Sequence, residues 1–527
     1  MNKIIIKHSR IEINNYEIGD SRLENIFSIY DRITHNIYYK GIKYDSESKV
    51  LTVPRGLDIY YLENMFGEKA VVDKKHDPFD YTTPMKIKYL PRDDIQKEAL
   101  RFMTGESVAY RHNKDYSQLS VNLNTGKGKT YCSIACATLM NMRSAIITSS
   151  INWLEQWRDC ILEYTDTTEK EIYMISGSAS IFRLLKKDIS QYKFILASHA
   201  TLKSYAEKHG YDKLTELFQF MRIGIKFYDE AHLHFDNMCM IDYHTNTYKT
   251  YYVTATPKRS NEDEDRIYQL YFKNIPGIDL FDEDNDPHTN YVAIKYTSNP
   301  TPQEISMCKN QYGLDRNKYT NYIVTKDNFY KILHILLEIV INSNGKTLMY
   351  IGTNDAIMVV YNWIMSNYPE LYNNVGIYTS VITVNKEEQL NKKLILSTTK
   401  SCGAAMDIKG LKNTMVVAEP FKSEVLARQT LGRTRDDNTN YFEVVDTGFY
   451  YINKYYNYKK PIFEKYALTC REIGLKENEL NIRVEAILNK RMMVYMKPLF
   501  VARETLKPLF KPREELKPLF VRRINNQ

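Results

Sequence analysis

Apolar and polar positions follow two distinct spacings along this chain. Short apolar, β-branched runs are typical of buried strands, and the stretches between them have the three-to-four-residue spacing of amphipathic helices. Such runs lie at residues 119–123, 145–148, 194–197, 223–228 and 251–254, and again at 347–351, 393–397 and 415–417. Strands that alternate with helices favour parallel, doubly wound sheets. The spacing therefore predicts two α/β domains in tandem, at residues 86–275 and 286–455.

The first 85 residues follow a separate pattern of short strands and helices. Two strand-like segments precede a helical stripe, and two further β-like segments precede a short helix that begins near Leu57. A stretch rich in Asp, Lys, Thr and Pro at residues 73–84 is typical of a linker, and the acidic segment 281–287 marks a second boundary. We therefore predict a small α/β accessory module at residues 1–85 and a C-terminal extension, helical and repeat-containing, at residues 456–527.

Composition narrows the class of protein. With 527 residues the chain has room for about three domains, and 43% hydrophobic with 26% charged residues is typical of a folded protein. A net charge of +8 permits nucleic-acid binding without requiring it. The seven cysteines are scattered and form no C-x-x-C pair, which favours a reducing compartment. The apolar stretches are too short to cross a membrane, so we expect a cytoplasmic protein without membrane contact.

A glycine- and lysine-rich segment joins the strand-like residues 119–123 to a helix-forming segment at 131–137. Strand, loop and helix in this order form the context of a phosphate-binding loop. Its glycines let backbone N–H groups turn toward phosphate oxygens, and the helix N-terminus adds positive charge. We expect Lys129 to reach the β- and γ-phosphates of ATP and Thr130 to bind Mg²⁺. The expected nucleotide-binding residues of the loop are Thr125, Gly126, Lys127, Gly128, Lys129 and Thr130.

An acidic pair, Asp229 and Glu230, follows the strand-like run 223–228 and is itself followed by Ala231 and His232. Carboxylates at the end of a buried strand suit ATP hydrolysis, because one can hold Mg²⁺ while the next accepts a proton from the attacking water. We therefore expect Asp229 to be the metal ligand and Glu230 the general base.

With both elements in place, the chain resembles superfamily 2 helicases of the DEAH-box type. Gln96 matches the glutamine that reads adenine, and residues 148–150, followed by Leu-Glu-Gln-Trp, match motif Ia. Residues 254–257, Thr-Ala-Thr-Pro, match motif III, and residues 429–435, Gln-Thr-Leu-Gly-Arg-Thr-Arg, match motif VI. The resemblance implies two RecA-like motor domains that use ATP and Mg²⁺ to act on nucleic acid.

The resemblance also assigns expected roles to further residues. It implies contact with the nucleic-acid backbone at Thr148, Ser149, Ser198, Thr201 and Thr398. It implies coupling between hydrolysis and domain movement at His232, Thr254, Thr256 and Asp407. It adds Gln429, Arg433 and Arg435 to the catalytic set, with the two arginines crossing the cleft to the γ-phosphate. An arginine from a second domain stabilises the transferring phosphoryl group only when the cleft closes, so hydrolysis would accompany closure.

Two positions depart from the family pattern. Leu123 stands where the phosphate loop usually opens on a small residue, and Ala405 replaces the glycine usually found two positions before Asp407. The second departure lies in motif V, so it bears on strand separation more than on ATP hydrolysis.

The chain resembles phage UvsW-type helicases in the sequences of motifs III and VI, in its compact motor and in the α/β module that precedes it. Helicases of that type anneal strands and remodel branched DNA during recombination. That resemblance implies single-stranded, forked or branched DNA as the partner, a DNA-gripping role for residues 1–85, and the host cytoplasm as the location. Transcript-release helicases of poxviruses and asfarviruses share the loop spelling. An RNA helicase, a restriction-type motor and a non-catalytic nucleic-acid-binding scaffold are further alternatives. The scaffold would need a broken phosphate loop or acidic pair, and both are intact here.

The last residues contain a short repeat. The sequence Lys-Pro-Leu-Phe occurs at residues 497–500, 507–510 and 517–520. Proline is expected to interrupt a continuous helix in each copy. The copies either pack along the motor or dock a protein partner as tandem linear motifs that gain by avidity. Eight Lys or Arg against three Glu from residue 497 to the end make non-specific DNA contact a third option.

Overall fold

The computed structural model describes residues 3–19, 21–31, 35–124, 126–254, 259, 262–280, 289–311, 313–379, 381, 385–402, 408–432 and 439–505, with side chains for all but Asn152, Lys386, Val425 and residues 492–505.

The N-terminal module is a small twisted sheet with two helices. Its elements are β1 (Lys3–Ile6), β2 (Arg10–Asn14), α1 (Ser21–Phe27), β3 (Ser28–Tyr30), β4 (Ile37–Tyr39), β5 (Lys43–Asp45), β6 (Val50–Pro54), α2 (Ile59–Phe66) and β7 (Val71–Val72). The sheet order is β5-β6-β2-β1-β7, antiparallel except for the parallel β1–β7 pair, and β3 and β4 form a separate antiparallel pair. Alternating apolar residues on β2 point into the core because successive strand side chains face opposite sides.

A first parallel sheet follows. Its elements and their helices are α3 (Asp94–Thr104), β8 (Gln118–Leu123), α4 (Lys129–Met140), β9 (Ser144–Thr148), α5 (Asn152–Tyr164), β10 (Ile172–Ile175), α6 (Ser178–Leu184), β11 (Phe194–Ser198), α7 (His199–His209), α8 (Tyr211–Met221), β12 (Ile225–Asp229), α9 (Phe235–Tyr243), β13 (Lys249–Thr254), α10 (Glu262–Phe272) and β14 (Gly277–Leu280). In the described residues the sheet has the order β10-β11-β9-β12-β13-β8-β14, and every neighbouring pair is parallel.

A second parallel sheet is built in the same way. Its elements are β15 (Thr289–Tyr296), α11 (Pro302–Met307), β16 (Lys309–Asn310), β17 (Gly313–Leu314), α12 (Arg316–Ile323), α13 (Asp327–Asn342), β18 (Lys346–Ile351), α14 (Asn354–Asn367), β19 (Val375–Tyr378), α15 (Lys386–Leu390), β20 (Leu394–Ser397), α16 (Thr399–Cys402), β21 (Leu411–Ala418), α17 (Glu424–Leu431), β22 (Thr439–Asp446), α18 (Tyr450–Tyr466), β23 (Thr469–Gly474) and α19 (Glu477–Thr505). Its order is β19-β20-β18-β21-β22-β15-β23, and β16 and β17 pair separately. Short 3-10 helices span Val108–Asp115, Glu169–Glu171 and Pro369–Leu371.

The predicted fold class is confirmed, since two doubly wound parallel sheets in tandem follow a small α/β module. The sheets extend further along the chain than the hydrophobic pattern indicates. Strand β14 lies after residue 275 and β23 lies after residue 455. Both are edge strands with exposed or half-buried side chains, so neither has the apolar run that marks an inner strand.

The N-terminal module shares a hydrophobic core with one face of the first sheet. Ile4 and Leu62 of the module belong to the same buried cluster as Ile147 and Tyr271. Gly56 shows how closely the two parts approach, because a Cβ there would lie 1.9 Å from the backbone oxygen of Tyr271. The module is therefore packed on the first sheet as part of one body.

The C-terminal helix α19 packs against the second sheet's helices. Arg491 lies 3.6 Å above the ring of Tyr368 and donates hydrogen bonds to the backbone oxygen of Asn367 (2.9 Å) and to Glu370 (2.8 Å). The backbone of the first Lys-Pro-Leu-Phe copy lies inside α19, so the expected interruption at Pro498 is wrong for this copy. A proline inside a long helix removes one backbone hydrogen bond and can bend the helix without ending it. The other two copies lie outside the described residues.

None of the helices in the described part of the chain combines the length and apolar character that a membrane crossing needs.

Candidate nucleotide site

The predicted motif residues of the first sheet meet at one edge. In the register of the parallel strands Thr148 lies opposite Ser198, and Thr254 lies opposite Asn122, just before the phosphate loop. Asp229 ends β12 between β9 and β13. Parallel strands bring their carboxyl ends to the same side, which is where ligands bind in open α/β sheets.

The phosphate loop follows β8 and leads into α4. Gly126 has φ +82° and Gly128 has φ +91°, a backbone conformation that favours glycine. A Cβ on Gly128 would lie 2.2 Å from Nε2 of Gln96, so a side chain there would also collide with a neighbouring element. Helix α4 begins at Lys129, so its first N–H groups face the loop as the predicted phosphate cradle requires.

Lys129 lies close to the acidic pair at the end of β12. Its Nζ is 3.7 Å from Oε1 of Glu230, and the exposed fractions of the two side chains are 10% and 5%. Burial, and then the neighbouring charge of Glu230, raises the pKa of Asp229 to about 6. Two buried carboxylates beside one lysine give the site a net negative charge, which favours a bound cation.

The backbone of Glu230 is strained, with φ +50°. This left-handed conformation is unfavourable for a residue with a Cβ and is found where the surrounding structure enforces it. Hydrogen bonds on either side hold the turn, from the Ala231 N–H to the Val253 oxygen (3.1 Å) and from the Leu233 N–H to the Glu230 oxygen (2.8 Å). The turn thereby directs Glu230 back toward Lys129.

His232 connects the acidic pair to both sheets. Burial lowers the pKa of its imidazole to about 4, against the pull of Glu230 in the other direction, so the ring is neutral at neutral pH. Its Nε2 lies 3.2 Å from the side-chain nitrogen of Gln429 on α17, and its Nδ1 lies 2.8 Å from Oγ1 of Thr254. Because an amide nitrogen can only donate, Nε2 accepts and Nδ1 carries the proton. A single neutral ring thus joins β12, β13 and the second sheet.

The donor set suits Mg²⁺. The hydroxyl of Thr130 at the start of α4 and the carboxylate of Asp229 are hard oxygen ligands, which Mg²⁺ prefers over nitrogen or sulfur. The buried negative charge of the pair adds an electrostatic reason for a divalent cation at this place. These two residues would hold it.

Trp157 is a residue of the site whose role the sequence did not reveal. It lies on α5, and its Nε1–H donates to Oδ2 of Asp229 at 2.9 Å in a buried contact. The sequence signal was present, because Trp157 is the last residue of the Glu-Gln-Trp segment after motif Ia. Only the packing of α5 against β12 shows that its indole reaches the acidic pair.

Gln96 braces the phosphate loop. Its side-chain oxygen accepts from the backbone N–H of Arg92 (3.0 Å), and its side-chain nitrogen donates to the backbone oxygen of Lys127 (3.2 Å). The backbone N–H of Gln96 in turn donates to Asp93, which caps α3. The residue is 3% exposed, so in this conformation its amide faces the loop.

The hydroxyl oxygens of the expected nucleic-acid contacts are all buried. Ser149 is half-buried as a residue, but its Oγ is shielded from water. The hydroxyls of Thr148, Ser198, Thr201 and Thr398 are buried and hydrogen-bonded within the chain. Ser198 is the N-cap of α7 and accepts from the Thr201 N–H (3.2 Å), and Thr398 donates to Ser401 (3.0 Å) at the start of α16. In this conformation these hydroxyls hold helix N-termini, so phosphate would be met by backbone N–H groups of those first turns.

The remaining predicted residues lie outside the described residues: Thr125, Thr256, Asp407, Arg433 and Arg435.

Parts of this chain resemble one protein family and several solved structures. Residues 90–259 match the family of the type III restriction enzyme res subunit. Among solved structures, T4 UvsW is 14% identical, with 90% of this chain and 99% of that chain covered at a TM-score of 0.35. S. cerevisiae Dbp5, bound to RNA and ADP BeF3, is 14% identical, with 75% of this chain and 92% of that chain covered at a TM-score of 0.51. No curated protein matches the chain.

The resemblance to superfamily 2 helicases is thereby confirmed, on the matched domain and on the two-sheet fold. The chain has the fold of a helicase-type nucleic-acid motor, and residues 90–259 contain both the phosphate loop and the acidic pair.

Proposed function

We propose that this chain is an ATP-driven DNA helicase or translocase that remodels branched or duplex DNA. The observation that supports it best is a continuous series of buried contacts. Lys129 contacts Glu230, Glu230 contacts His232, and His232 contacts Gln429 of the second sheet. It joins the proposed hydrolytic centre to the other half of the motor. Such a connection is what a motor needs to convert a change at the nucleotide into a change between domains.

In this proposal each side chain has a separate task. Lys129 meets the β- and γ-phosphates of ATP, and Glu230 accepts the proton of the attacking water. Thr130 and Asp229 would hold Mg²⁺, which would supply positive charge to the phosphate oxygens. His232 stays neutral, and its two ring nitrogens contact Thr254 and Gln429. A movement of the acidic turn would therefore also move these two residues. The motif VI arginines, Arg433 and Arg435, are proposed to complete the site from the second domain.

DNA is proposed as the substrate on the spelling of motifs III and VI, which resembles that of DNA-handling helicases. The basic charge of the chain supports a nucleic-acid partner. The N-terminal module, packed on the first sheet, is proposed to grip DNA, and the Lys-Pro-Leu-Phe copies are proposed to dock a protein partner. We place the protein in the cytoplasm of its host, where its seven free cysteines would stay reduced.

The test is ATP turnover without nucleic acid and with single-stranded DNA, forked or four-way DNA, and RNA, beside E230Q. We expect branched DNA to give the largest stimulation and E230Q to lower turnover by about 10²–10⁴-fold, the usual contribution of a general base. E230Q should still bind nucleotide, because Lys129 and the loop remain.

Each other result has a definite meaning. Stimulation by RNA alone would replace the DNA proposal with an RNA helicase or transcript-release translocase. Nucleic-acid binding without any ATP turnover would favour a non-catalytic scaffold. Turnover that is indifferent to every nucleic acid would contradict the motor itself.

A further inference from the structure

We propose that the N-terminal module sets the geometry of the acidic turn through a bridge formed by Lys40, Glu264 and Arg259, in which Arg259 is a positioning residue for hydrolysis. The inference rests on the proposed function and adds a regulatory role for the module to it.

The bridge runs without a break from the module to the acidic turn. Lys40 follows β4 of the module and pairs with Glu264 on α10. Glu264 accepts from Nε (3.0 Å) and Nη2 (2.8 Å) of Arg259. The other guanidinium nitrogen of Arg259 donates to the backbone oxygen of His232. One carboxylate and one guanidinium thus connect two parts of the chain that are far apart in sequence.

All three members of the bridge are largely shielded from water. The side chains of Lys40, Glu264 and Arg259 are 17%, 19% and 18% exposed. Burial by itself would raise the pKa of Glu264, but the hydrogen bonds and charges of Lys40 and Arg259 outweigh burial and lower it. Arg259 binds Glu264 through two nitrogens, a planar geometry that a lysine cannot reproduce.

Both ends of the bridge are held by further contacts. Arg266, also on α10, donates to the backbone oxygens of Ile26 and Ser28 (2.9 Å to the latter) in the module. Lys40 also lies 3.2 Å from Asp236 at the start of α9. The backbone N–H of Arg259 donates to Asp265 (2.7 Å). A shift of the module relative to α10 would therefore act on Arg259.

The far end of the bridge is the turn where geometry matters most. The carbonyl that Arg259 holds belongs to His232, whose ring contacts Thr254 and Gln429. Glu230, two residues earlier, has the strained φ of +50°. A strained turn persists only when its surroundings hold it, and a guanidinium bonded to the next residues is such a support. Loss of the bridge should therefore misplace Glu230 while leaving the phosphate loop intact.

The experiment compares K40Q, R259K and the double variant in the full chain, with K69Q as the matched control. Lys69 is in the same module and pairs with Glu63 at 2.9 Å, but it is 85% exposed and lies outside the bridge. The readouts are kcat and KM for ATP, the stimulation by DNA, and the melting temperature. R259K keeps the positive charge and removes the two-nitrogen contact, so it separates geometry from charge.

We expect K40Q and R259K each to lower kcat by about three- to tenfold, with KM for ATP within about twofold of the parent chain. The double variant should be no slower than R259K alone, because both substitutions break the same connection. K69Q should match the parent chain in kcat and in KM for ATP. A fall in melting temperature with unchanged kcat would mean that the contacts are merely structural and would overturn the proposal.

Additive losses in the double variant would also overturn it. The two proposals fail in different ways. If the parent chain does not hydrolyse ATP, or hydrolyses it no faster than E230Q, the proposed function is wrong. If hydrolysis depends on Glu230 but K40Q behaves like K69Q, only the bridge is wrong.

Discussion

The indole of Trp157 reaches the candidate nucleotide site from α5, the helix that follows the predicted nucleic-acid segment at residues 148–150. Its N–H occupies one oxygen of Asp229, which leaves the carboxylate in a fixed orientation. Side chains that orient a metal ligand are often as important as the ligand itself. At the residue scale, the orientation of Asp229 therefore depends on a side chain from another helix.

Replacement of Trp157 by Phe keeps an aromatic ring and removes the donor. We expect the Mg²⁺ concentration for half-maximal ATP turnover to rise by about tenfold or more, as for other partners of metal ligands. Nucleotide binding in the presence of a chelator should stay unchanged, because Lys129 and the loop are untouched.

The matched control is W153F, which replaces an indole of equal burial on the same helix. An equal rise in the Mg²⁺ requirement in W153F would mean that packing of α5, and not the hydrogen bond to Asp229, matters.

At the scale of elements, β12 is anchored below the acidic pair by a buried polar cluster. Asp242 on α9 accepts from Lys226 (2.6 Å) and Tyr228 (2.8 Å) on β12. It also accepts from Tyr252 (2.6 Å) on β13 and Tyr271 (2.5 Å) on α10. One carboxylate thus joins two strands and two helices, and Lys226 and Asp242 are both 0% exposed.

We expect D242N to lower the free energy of unfolding by about 3–5 kcal/mol, the usual effect of breaking a buried ion pair. Asparagine keeps the size of the side chain, but it leaves the buried Lys226 ammonium without a counter-charge. Chemical denaturation measures the change.

E216Q is the control for D242N. Glu216 pairs with Lys213 at 2.6 Å, but both side chains are more than half exposed. Exposed pairs contribute about 0–1 kcal/mol, so E216Q should be nearly neutral. A D242N value as small as that of E216Q would contradict the anchoring role of the cluster.

At the scale of the whole molecule, the chain holds its parts together with contacts of different kinds. The module and the first sheet share an apolar core. Helix α19 is fixed to the second sheet's helices through Arg491. The two sheets meet at Gln429 and His232. Several histidines are buried in this framework, so the stability of the molecule should respond to acid.

His334, which is half-buried, is a useful probe of that response. Its Nδ1 lies 2.6 Å from the hydroxyl of Tyr368, and burial, with a smaller contribution from Arg491, lowers its pKa to about 4. An unfolded histidine has a pKa of about 6.5. Between these two pKa values the unfolded chain binds a proton that the native chain does not. The contribution of neutral His334 to the free energy of unfolding is therefore complete above pH 6.5 and is lost as the pH falls toward 4.

H334Q cannot take up this proton. We therefore expect its free energy of unfolding to fall less than that of the parent chain as the pH falls. The difference in unfolding free energy should shift in favour of H334Q by roughly 1–2 kcal/mol between pH 7 and pH 4.5. Denaturation of both proteins at the two pH values measures it. A difference that is the same at both values would show that His334 does not titrate in this range.

The sequence by itself determined the class of the fold and which residues are candidates for the site. Alternation of strands and helices predicted two parallel sheets, because that pattern reflects burial on both sheet faces. Lys129, Asp229 and Glu230 could be predicted as candidates because a phosphate loop and an acidic strand end are local, with each group placed by its neighbours in the chain.

Only the tertiary structure decided which distant residues are in contact. Trp157 reaches Asp229, Gln429 reaches His232, and Lys40 reaches the acidic turn through Glu264 and Arg259. The edge strands β14 and β23 also became visible only in the folded sheets. The physical reason is the same in each case. Periodicity records how a segment is buried, whereas hydrogen bonds between segments depend on how helices and sheets pack, which spacing along the chain does not encode.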